Sequence, residues 1–470
     1  MNVLYSSPPS LKTGLREGKI IVAVYGLGHV GLGIAAAWLR AGAKVIGIDV
    51  KDEVVKSINE GVSPISDEPG VPEAIRDGVK RGKLNATTDG IKGSRESDVK
   101  IIAVPTTLTS KKSCDLSALE RALQAIGQGM KKGDLVIVES SVPPTTTKTV
   151  AEAILEKTSR LKVEEDFGLA YSPERIYEGR VLEDIEKRYP KILGGTGPRS
   201  AEAAAALYEA IAQKGVIKLA NPTAAETSKL FEGIYRDVNI ALANELARFC
   251  GTVGVDFKVV REAANSQPFC HLHIPGFVGG WCIPYYPHFV LQAAIQKGMQ
   301  LPLTALARKI NDEKTQSLIE VADSVLREIN RVGLRRSRVA VLGLSFRADV
   351  ADTRNSPSYA VIDLLLMKGV AGIVAYDPFI KRDALLEQKG VRVAGNVAEA
   401  TRDANLILVM TDHSAFREKL TPEDLFRFAS SPAVLIDGRD VLASENSRVA
   451  PSAFFHRIVE GFHVFTRRAG

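Results

Sequence analysis

Short apolar runs recur along the chain, each closed by glycine, proline or hydroxyl-bearing residues. The runs at 19–25, 44–48, 99–104, 135–138, 167–171 and 191–193 are almost continuously apolar, as expected of strands buried on both faces. Residues 32–41 read as a helix that Gly42 ends. This alternation of strand and helix predicts a parallel sheet with helices on both sides. At Asn221-Pro222-Thr223 the rhythm changes. Thr223 and Glu226 have the spacing of a capping box, and about 224–252 reads as one long helix with an apolar stripe of Leu230, Ile234, Val238, Ala241 and Leu242. Lys229, Gly233 and Arg236 share another face of it. Glycine inside a helix costs ~1 kcal/mol relative to alanine, so Gly233 predicts a neighbour that needs the space. Strand-like runs return at 338–342, 373–376, 406–410 and 434–436, and Ser356-Pro357 opens a helix that Gly369 ends.

The loops after these strands carry the candidate chemistry. The first strand runs directly into Gly26-Leu27-Gly28-His29-Val30-Gly31. In such a loop the first glycine makes the turn, the second lets a pyrophosphate approach the backbone, and the third packs helix on strand. The helix start adds unpaired N–H groups for the phosphates. Asp49, closing the second strand, suits two ribose hydroxyls and repels a 2′-phosphate, which favours NAD over NADP. Later strands end in Pro105-Thr106-Thr107, in Glu139-Ser140-Ser141-Val142-Pro143-Pro144 and in Ser172-Pro173-Glu174-Arg175. Ligands of doubly wound sheets bind outside the carboxyl ends of the strands, so these hydroxyls and Glu174 are candidates for cofactor or substrate contact. In Gly279-Gly280-Trp281-Cys282-Ile283-Pro284, a thiol sits in a loop stiffened by proline and opened by glycine, a setting for a nucleophile. The last domain has one glycine, Gly343, where the first has three, and is expected to hold a nucleotide through Arg347, Arg354 and backbone groups. The predicted fold is α/β: two doubly wound Rossmann-like domains (1–220 and 331–470) joined by a helical middle segment (221–330) with a long central helix.

Composition narrows the function. A chain of 470 residues accommodates roughly three domains. Net charge is +6, from Lys+Arg 61 against Asp+Glu 55, a mild excess that fits an anionic small molecule and gives no sign of nucleic acid. No apolar run is long enough to span a membrane, and the start lacks the pattern of a signal peptide. Ser6 to Pro9 suggests a loose leader. The cysteines at 114, 250, 270 and 282 form no CxxC pair, which predicts free thiols in a reducing cytoplasm. Cys270, His271, His273 and Cys282 match no usual zinc spacing, so no metal is expected.

The motifs, in this order, resemble the nucleotide-sugar 6-dehydrogenases of the UDP-glucose/GDP-mannose dehydrogenase family. The resemblance runs through GLGHVG, ESSVPPTTT, SPER, AAETSKLFEGIYRDVNIALANE, PGFVGGWCIP, GLSFRADVADTRNSP, YDP, TDH and DGR. Arg236 to Ala241 is most similar to the branch acting on UDP-N-acetyl-D-mannosamine. The resemblance implies two NAD-dependent oxidations at C6 of a UDP-sugar, alcohol to aldehyde to carboxylate. It places the nucleophile at Cys282, an oxyanion-stabilising lysine at Lys229, a glutamate for thioester hydrolysis at Glu174 and a water-orienting hydroxyl at Ser141. It puts Thr106, Ser141 and Arg354 near the cofactor, and Glu174, Arg175, Lys229, Arg236, Asn239, Gly279 and Arg347 near the substrate. The long helix would form the core of a homodimer or higher oligomer. Four positions depart from the family pattern. Tyr286 replaces an aspartate four residues after the cysteine, and Gly233 an asparagine four after the lysine. Trp281 replaces a histidine, and Arg347 a lysine. The first two remove the usual proton acceptor of the first oxidation. UDP-N-acetylglucosamine or UDP-glucose as substrate, a two-electron hydroxyacid dehydrogenase, and an inactive cofactor-binding scaffold are the competing readings.

Overall fold

The apolar runs form strands as expected, and most of them are buried on both faces, while Gly372–Tyr376 buries only alternate residues. In the computed structural model, residues 1–331, 333–370, 372–442 and 454–467 are described. The chain divides into two units, Met1–Glu232 with His288–Met299, and Gly233–Pro287 with Gln300–Gly470.

The first unit is built on an eight-stranded sheet in the order Val216–Leu219, Lys191–Gly195, Gly168–Tyr171, Leu135–Val138, Val99–Ile102, Ile21–Tyr25, Lys44–Ile48, Leu84–Thr87. All pairs are parallel except Gly168–Tyr171 with Lys191–Gly195. Apolar clusters cover both faces, as parallel sheets require. The strand order reverses between Ile21–Tyr25 and Val99–Ile102, the position at which such sheets open a crevice.

Two local expectations are corrected. Residues 6–9 are not a loose leader: Pro8 begins the helix Pro8–Arg16, and its Leu11 and Leu15 are fully buried. Proline at the first helical turn is preorganised for that start. The long helix, Pro222–Thr252, begins before Thr223, which therefore lies inside its first turn and not at the cap. The side chain of Asn221 accepts from the Ala224 amide at 3.0 Å instead. Glu226 is released for another task, described below.

The second unit holds a seven-stranded sheet, Arg392–Val393, Gly372–Tyr376, Arg338–Leu342, Leu406–Val409, Ala433–Asp437, Phe462–Arg467, Phe455–Val459. The first five strands are parallel, and the last two form an antiparallel hairpin along one edge. The helix Pro302–Asn330 is tied to the long helix by a buried group. Arg308 pairs with Asp237, while Asn311 donates to the Asp237 backbone carbonyl and carboxylate, both at 2.8 Å. The Asp237 carboxyl is raised by burial, opposed by the Arg308 charge and the Asn311 hydrogen bond.

Candidate active site

In the first unit, the glycine loop has a distinct steric reason for each glycine. Gly26 holds φ +89°, and a β-carbon there would lie 2.7 Å from the carbonyl oxygen of Ala103. A β-carbon on Gly31 would overlap the Gly26 carbonyl oxygen. Gly28 differs: a β-carbon would meet nothing within 4 Å, so its surface faces open space. The helix His29–Ala41 starts directly after it. His29, Val30 and Gly31 are therefore its first turn, and their amides are available to an anion. Asp49 braces the loop, accepting from the Leu27 amide at 2.8 Å and the Lys51 amide at 3.0 Å. It is only half-buried, so lone pairs remain for a ribose. A dinucleotide fits this cradle.

The loops that follow the next strands are tied together. Thr106 Oγ1 donates to the Ser141 carbonyl at 2.6 Å, and Ser140 Oγ donates to the Val104 carbonyl at 2.7 Å. Thr145, in the same loop as Ser141, holds φ +79°, a strained value for a β-branched residue. Glu226 of the long helix stabilises it. Its buried carboxylate accepts from the Thr145 amide at 2.6 Å and the Thr147 amide at 2.7 Å. Burial raises this carboxyl, opposed by those same hydrogen bonds.

Glu174 lies just past the strand Gly168–Tyr171 and is buried. It accepts from the Arg175 amide at 2.8 Å and from Lys191 Nζ at 2.6 Å. Lys191 also reaches Glu139 at 2.7 Å, and Tyr208 donates to Glu139. Burial pushes Glu174 up, but the Lys191 charge and several hydrogen bonds outweigh it and hold the carboxyl below its ordinary value. Arg175 pairs with Glu232 at 3.1 Å and lies over the Tyr189 ring at 4.9 Å. Lys229 is half-buried on the long helix.

In the second unit, Cys282 is exposed and is the first residue of the helix Cys282–Gln296. The loop before it is locked from several sides. Gly280 holds φ +75°, and a β-carbon there would press on Phe346 at 2.9 Å. One on Gly279 would meet Pro357 at 2.7 Å. Asn355 donates to the Gly280 carbonyl at 2.9 Å, and Arg439 to the Phe277 carbonyl at 3.2 Å. Asn244 both donates to and accepts from the Gly276 backbone, at 3.0 and 2.9 Å. Arg354 lies over Trp281 at 4.9 Å and is paired with Asp352. Arg347 lies over Phe346 at 6.0 Å. A thiol fixed this way at a helix start, where unpaired amides favour a developing oxyanion, is suited to adding to a carbonyl carbon.

Gly233 has the neighbour that its presence in a helix predicts. A β-carbon there would overlap the Tyr286 ring, with ring carbon Cγ at 3.2 Å and Cβ at 3.3 Å. Gly233 and Tyr286 thus form a steric exchange, the large buried ring taking the space that a side chain at 233 would fill.

Three family models match the chain: the NAD binding domain of the UDP-glucose/GDP-mannose dehydrogenase family over residues 20–212, its central domain over 223–313 and its UDP binding domain over 340–444. The UDP-N-acetyl-D-mannosamine dehydrogenase of Pyrococcus horikoshii is 34% identical over 90% of this chain and 96% of its own length. The chain belongs to the UDP-glucose/GDP-mannose dehydrogenase family. An NDP-N-acetyl-D-galactosaminuronic acid dehydrogenase of Ralstonia nicotianae is 33% identical over 84% of this chain and 92% of its own. The solved UDP-D-ManNAc dehydrogenase structure from P. horikoshii superposes with a TM-score of 0.84 at 32% identity, covering 94% of this chain and 99% of that one.

Family membership makes NAD the cofactor of the first unit, which the Gly28 cradle and Asp49 accommodate. It also explains why the second sheet takes a different nucleotide. There Asp377 occupies the place of Asp49 but is fully buried. It accepts from the amides of Leu344, Ser345 and Phe379 at 2.7, 3.0 and 2.8 Å, and lies 3.1 Å from His413 Nε2. Fully buried, it offers no open face to a ribose.

Of the predicted site residues, the first unit gathers Gly26 to Gly31 with Asp49, joins Thr106 to Ser141, and gives Glu174 and Arg175 defined partners. The second unit gathers Gly279, Cys282, Arg347 and Arg354 on one loop system. Arg236 is exposed on the long helix, and Asn239 donates to its own helix at the Tyr235 carbonyl, 2.7 Å away. Glu139, Lys191, Glu226 and Asn244 escape sequence reading. Each acts on a residue far away in the chain, and the one local spacing among them, that of Glu226 with Thr223, points to a different role. Among the described residues no cluster of His, Cys, Asp and Glu suits a metal ion.

Proposed function

We propose that this protein oxidises the C6 hydroxyl of UDP-N-acetyl-D-mannosamine to the carboxylate in two NAD-dependent steps. The exposed thiol of Cys282, at the end of a loop closed on Phe346, Asn355 and Asn244, carries the reading. When bound, NAD would accept one hydride in each oxidation, and Gly26 to Gly31, Asp49, Thr106, Ser141 and Arg354 would hold it. The first oxidation converts the alcohol to an aldehyde, and Lys229 stabilises the alkoxide-like oxygen. A lysine-bound water, or Lys229 itself, takes the hydroxyl proton. Cys282 then adds to the aldehyde carbon, giving a thiohemiacetal. Loss of the second hydride leaves a thioester, which water hydrolyses to carboxylate and free thiol. Glu174 takes the water's proton, and Ser141 orients that water. Arg175, Arg236, Asn239, Gly279 and Arg347 bind the UDP-sugar.

A panel of nucleotide sugars with NAD, scored by NADH formed per sugar, tests the reading. Two NADH with UDP-N-acetyl-D-mannosamine is the expected result, and Cys282→Ser is expected to stop after the first. One NADH from the wild type would overturn the four-electron chemistry, and turnover of UDP-glucose alone would overturn the sugar assignment.

A homodimer belongs to the same proposal. The long helix exposes Tyr235, Leu242 and Phe249 at spacings that place them along one side. Light scattering reads the mass, and a monomer at micromolar concentration would refute it. A cytoplasmic location is supported by four free thiols. Among the described residues, no helix is long and apolar enough to cross a membrane.

A further inference from the structure

Beneath Glu174 lies a charged group that the proposed chemistry leaves unused. Lys191 opens the strand Lys191–Gly195, Glu139 follows the strand Leu135–Val138, and Tyr208 ends the helix Pro198–Tyr208. All three side chains are buried. The single ammonium lies 2.6 Å from Glu174 and 2.7 Å from Glu139, with its nitrogen 5.1 Å from the centre of the Tyr208 ring. Ser172 Oγ pins the strand beside it by donating to the Ile192 carbonyl at 2.7 Å. Two carboxylates and one ammonium leave a net negative charge in a dry interior, which is costly unless one carboxylate takes up a proton.

We propose that Lys191 and Glu139 are positioning residues for Glu174, dividing one ammonium between two carboxylates so that the protonation of Glu139 sets how tightly Glu174 is held. The inference rests on the reading that Glu174 takes the proton of the hydrolytic water. With Glu139 protonated, Lys191 belongs to Glu174 alone and makes it a weaker base. With Glu139 ionised, the ammonium is shared and Glu174 becomes the stronger base. Burial, partly opposed by the Lys191 charge, raises Glu139 to about 7, so the exchange falls near neutrality. The two carboxyls titrate as a linked pair. The other titratable groups facing the pair include Tyr208, Tyr171 and Tyr189, all raised chiefly by burial, and Glu226 of the long helix, which adds negative charge near Tyr171.

The step under test consumes water and leaves redox states unchanged. The water oxygen bonds to the thioester carbon as one of its protons passes to Glu174, the C–S bond breaks, the departing Cys282 thiolate takes that proton back from Glu174 to recover a thiol, and the new carboxylic acid releases the other proton to solvent. The full-length enzyme with NAD and UDP-sugar is quenched during a single turnover, and the acyl-enzyme is counted by mass on both sides of pH 7. The wild-type decay rate is expected to rise severalfold across neutrality beyond the smooth effect of hydroxide. Glu139→Gln should hold the rate at its acid-side level with no such rise. Lys191→Met should move decay to higher pH, and Lys191→Arg should restore the wild-type profile. Glu174→Gln should trap the acyl-enzyme at every pH. If Glu174→Gln traps it but Glu139→Gln keeps the wild-type rise, this inference fails and the role of Glu174 stands. If Glu174→Gln clears acyl-enzyme at the wild-type rate, the underlying reading fails. Should Lys191→Met not fold, judged by circular dichroism and NAD binding, the near-isosteric Glu139→Gln decides alone.

Discussion

Gly233→Ala separates helix propensity from tertiary packing, because the two predict opposite signs. Alanine in a helix interior is favoured over glycine by ~1 kcal/mol, so propensity alone predicts a more stable protein. The structure predicts a less stable one. The new methyl would enter the Tyr286 ring, whose Cγ and Cβ lie within 3.3 Å of its position. Tyr286 is only 6% exposed and has little room to retreat. Overpacking of this kind costs about 1–3 kcal/mol, and several close ring atoms place the case in the upper part of that range. The expected net loss is about 1–2 kcal/mol. In a Tyr286→Ala background the obstacle is gone, and the same substitution should stabilise by ~1 kcal/mol. The cycle therefore predicts a coupling of about 2–3 kcal/mol. Urea unfolding of the four proteins measures it through the transition midpoint. Because Tyr286 lies one helical turn after Cys282, kcat of Gly233→Ala should fall as well. A coupling below about 0.5 kcal/mol would refute the steric exchange.

Three further outcomes are expected. Asp49→Asn removes a charged acceptor from the Leu27 amide and the ribose, so NAD should bind about 10–100-fold more weakly, as read by fluorescence titration; unchanged affinity would show that Asp49 does not hold the ribose. Asn244→Ala strands the Gly276 amide and carbonyl in a buried site and should destabilise by about 2–4 kcal/mol, measured by denaturant unfolding of the second unit. Glu139 gives a pH signature. Its folded-state value, about 7, lies above the ordinary 4.5, so the folded protein binds more protons in that window. The stability it contributes is complete below the ordinary value and is lost as pH rises through about 7, with a slope of up to ~1.4 kcal/mol per unit. Glu139→Gln should flatten that slope in pH-dependent unfolding.

Local chemistry alone made much of this protein legible. Continuous apolar runs mark the buried parallel strands because a strand covered on both faces has no polar side to show. The glycine loop, Asp49 and the cysteine loop could be read for a related reason: each sits within a few residues of the element that gives it meaning. Even Gly233 announced a neighbour, since a glycine inside a helix needs a cause. Tertiary structure decided the partners. That Tyr286 is the neighbour, that Glu226 leaves its helix start to hold the strained Thr145, and that Lys191 serves both Glu139 and Glu174 all depend on contacts between distant segments. Asp49 and Asp377 show the division most clearly. Both close the second strand of their sheet, yet only folding reveals that one stays half-open to a ligand while the other is buried and turned to backbone amides, a serine hydroxyl and a histidine. Hydrogen bonds and steric exclusion act over a few ångströms of space, and the order of residues reports that distance only for those close together in the chain.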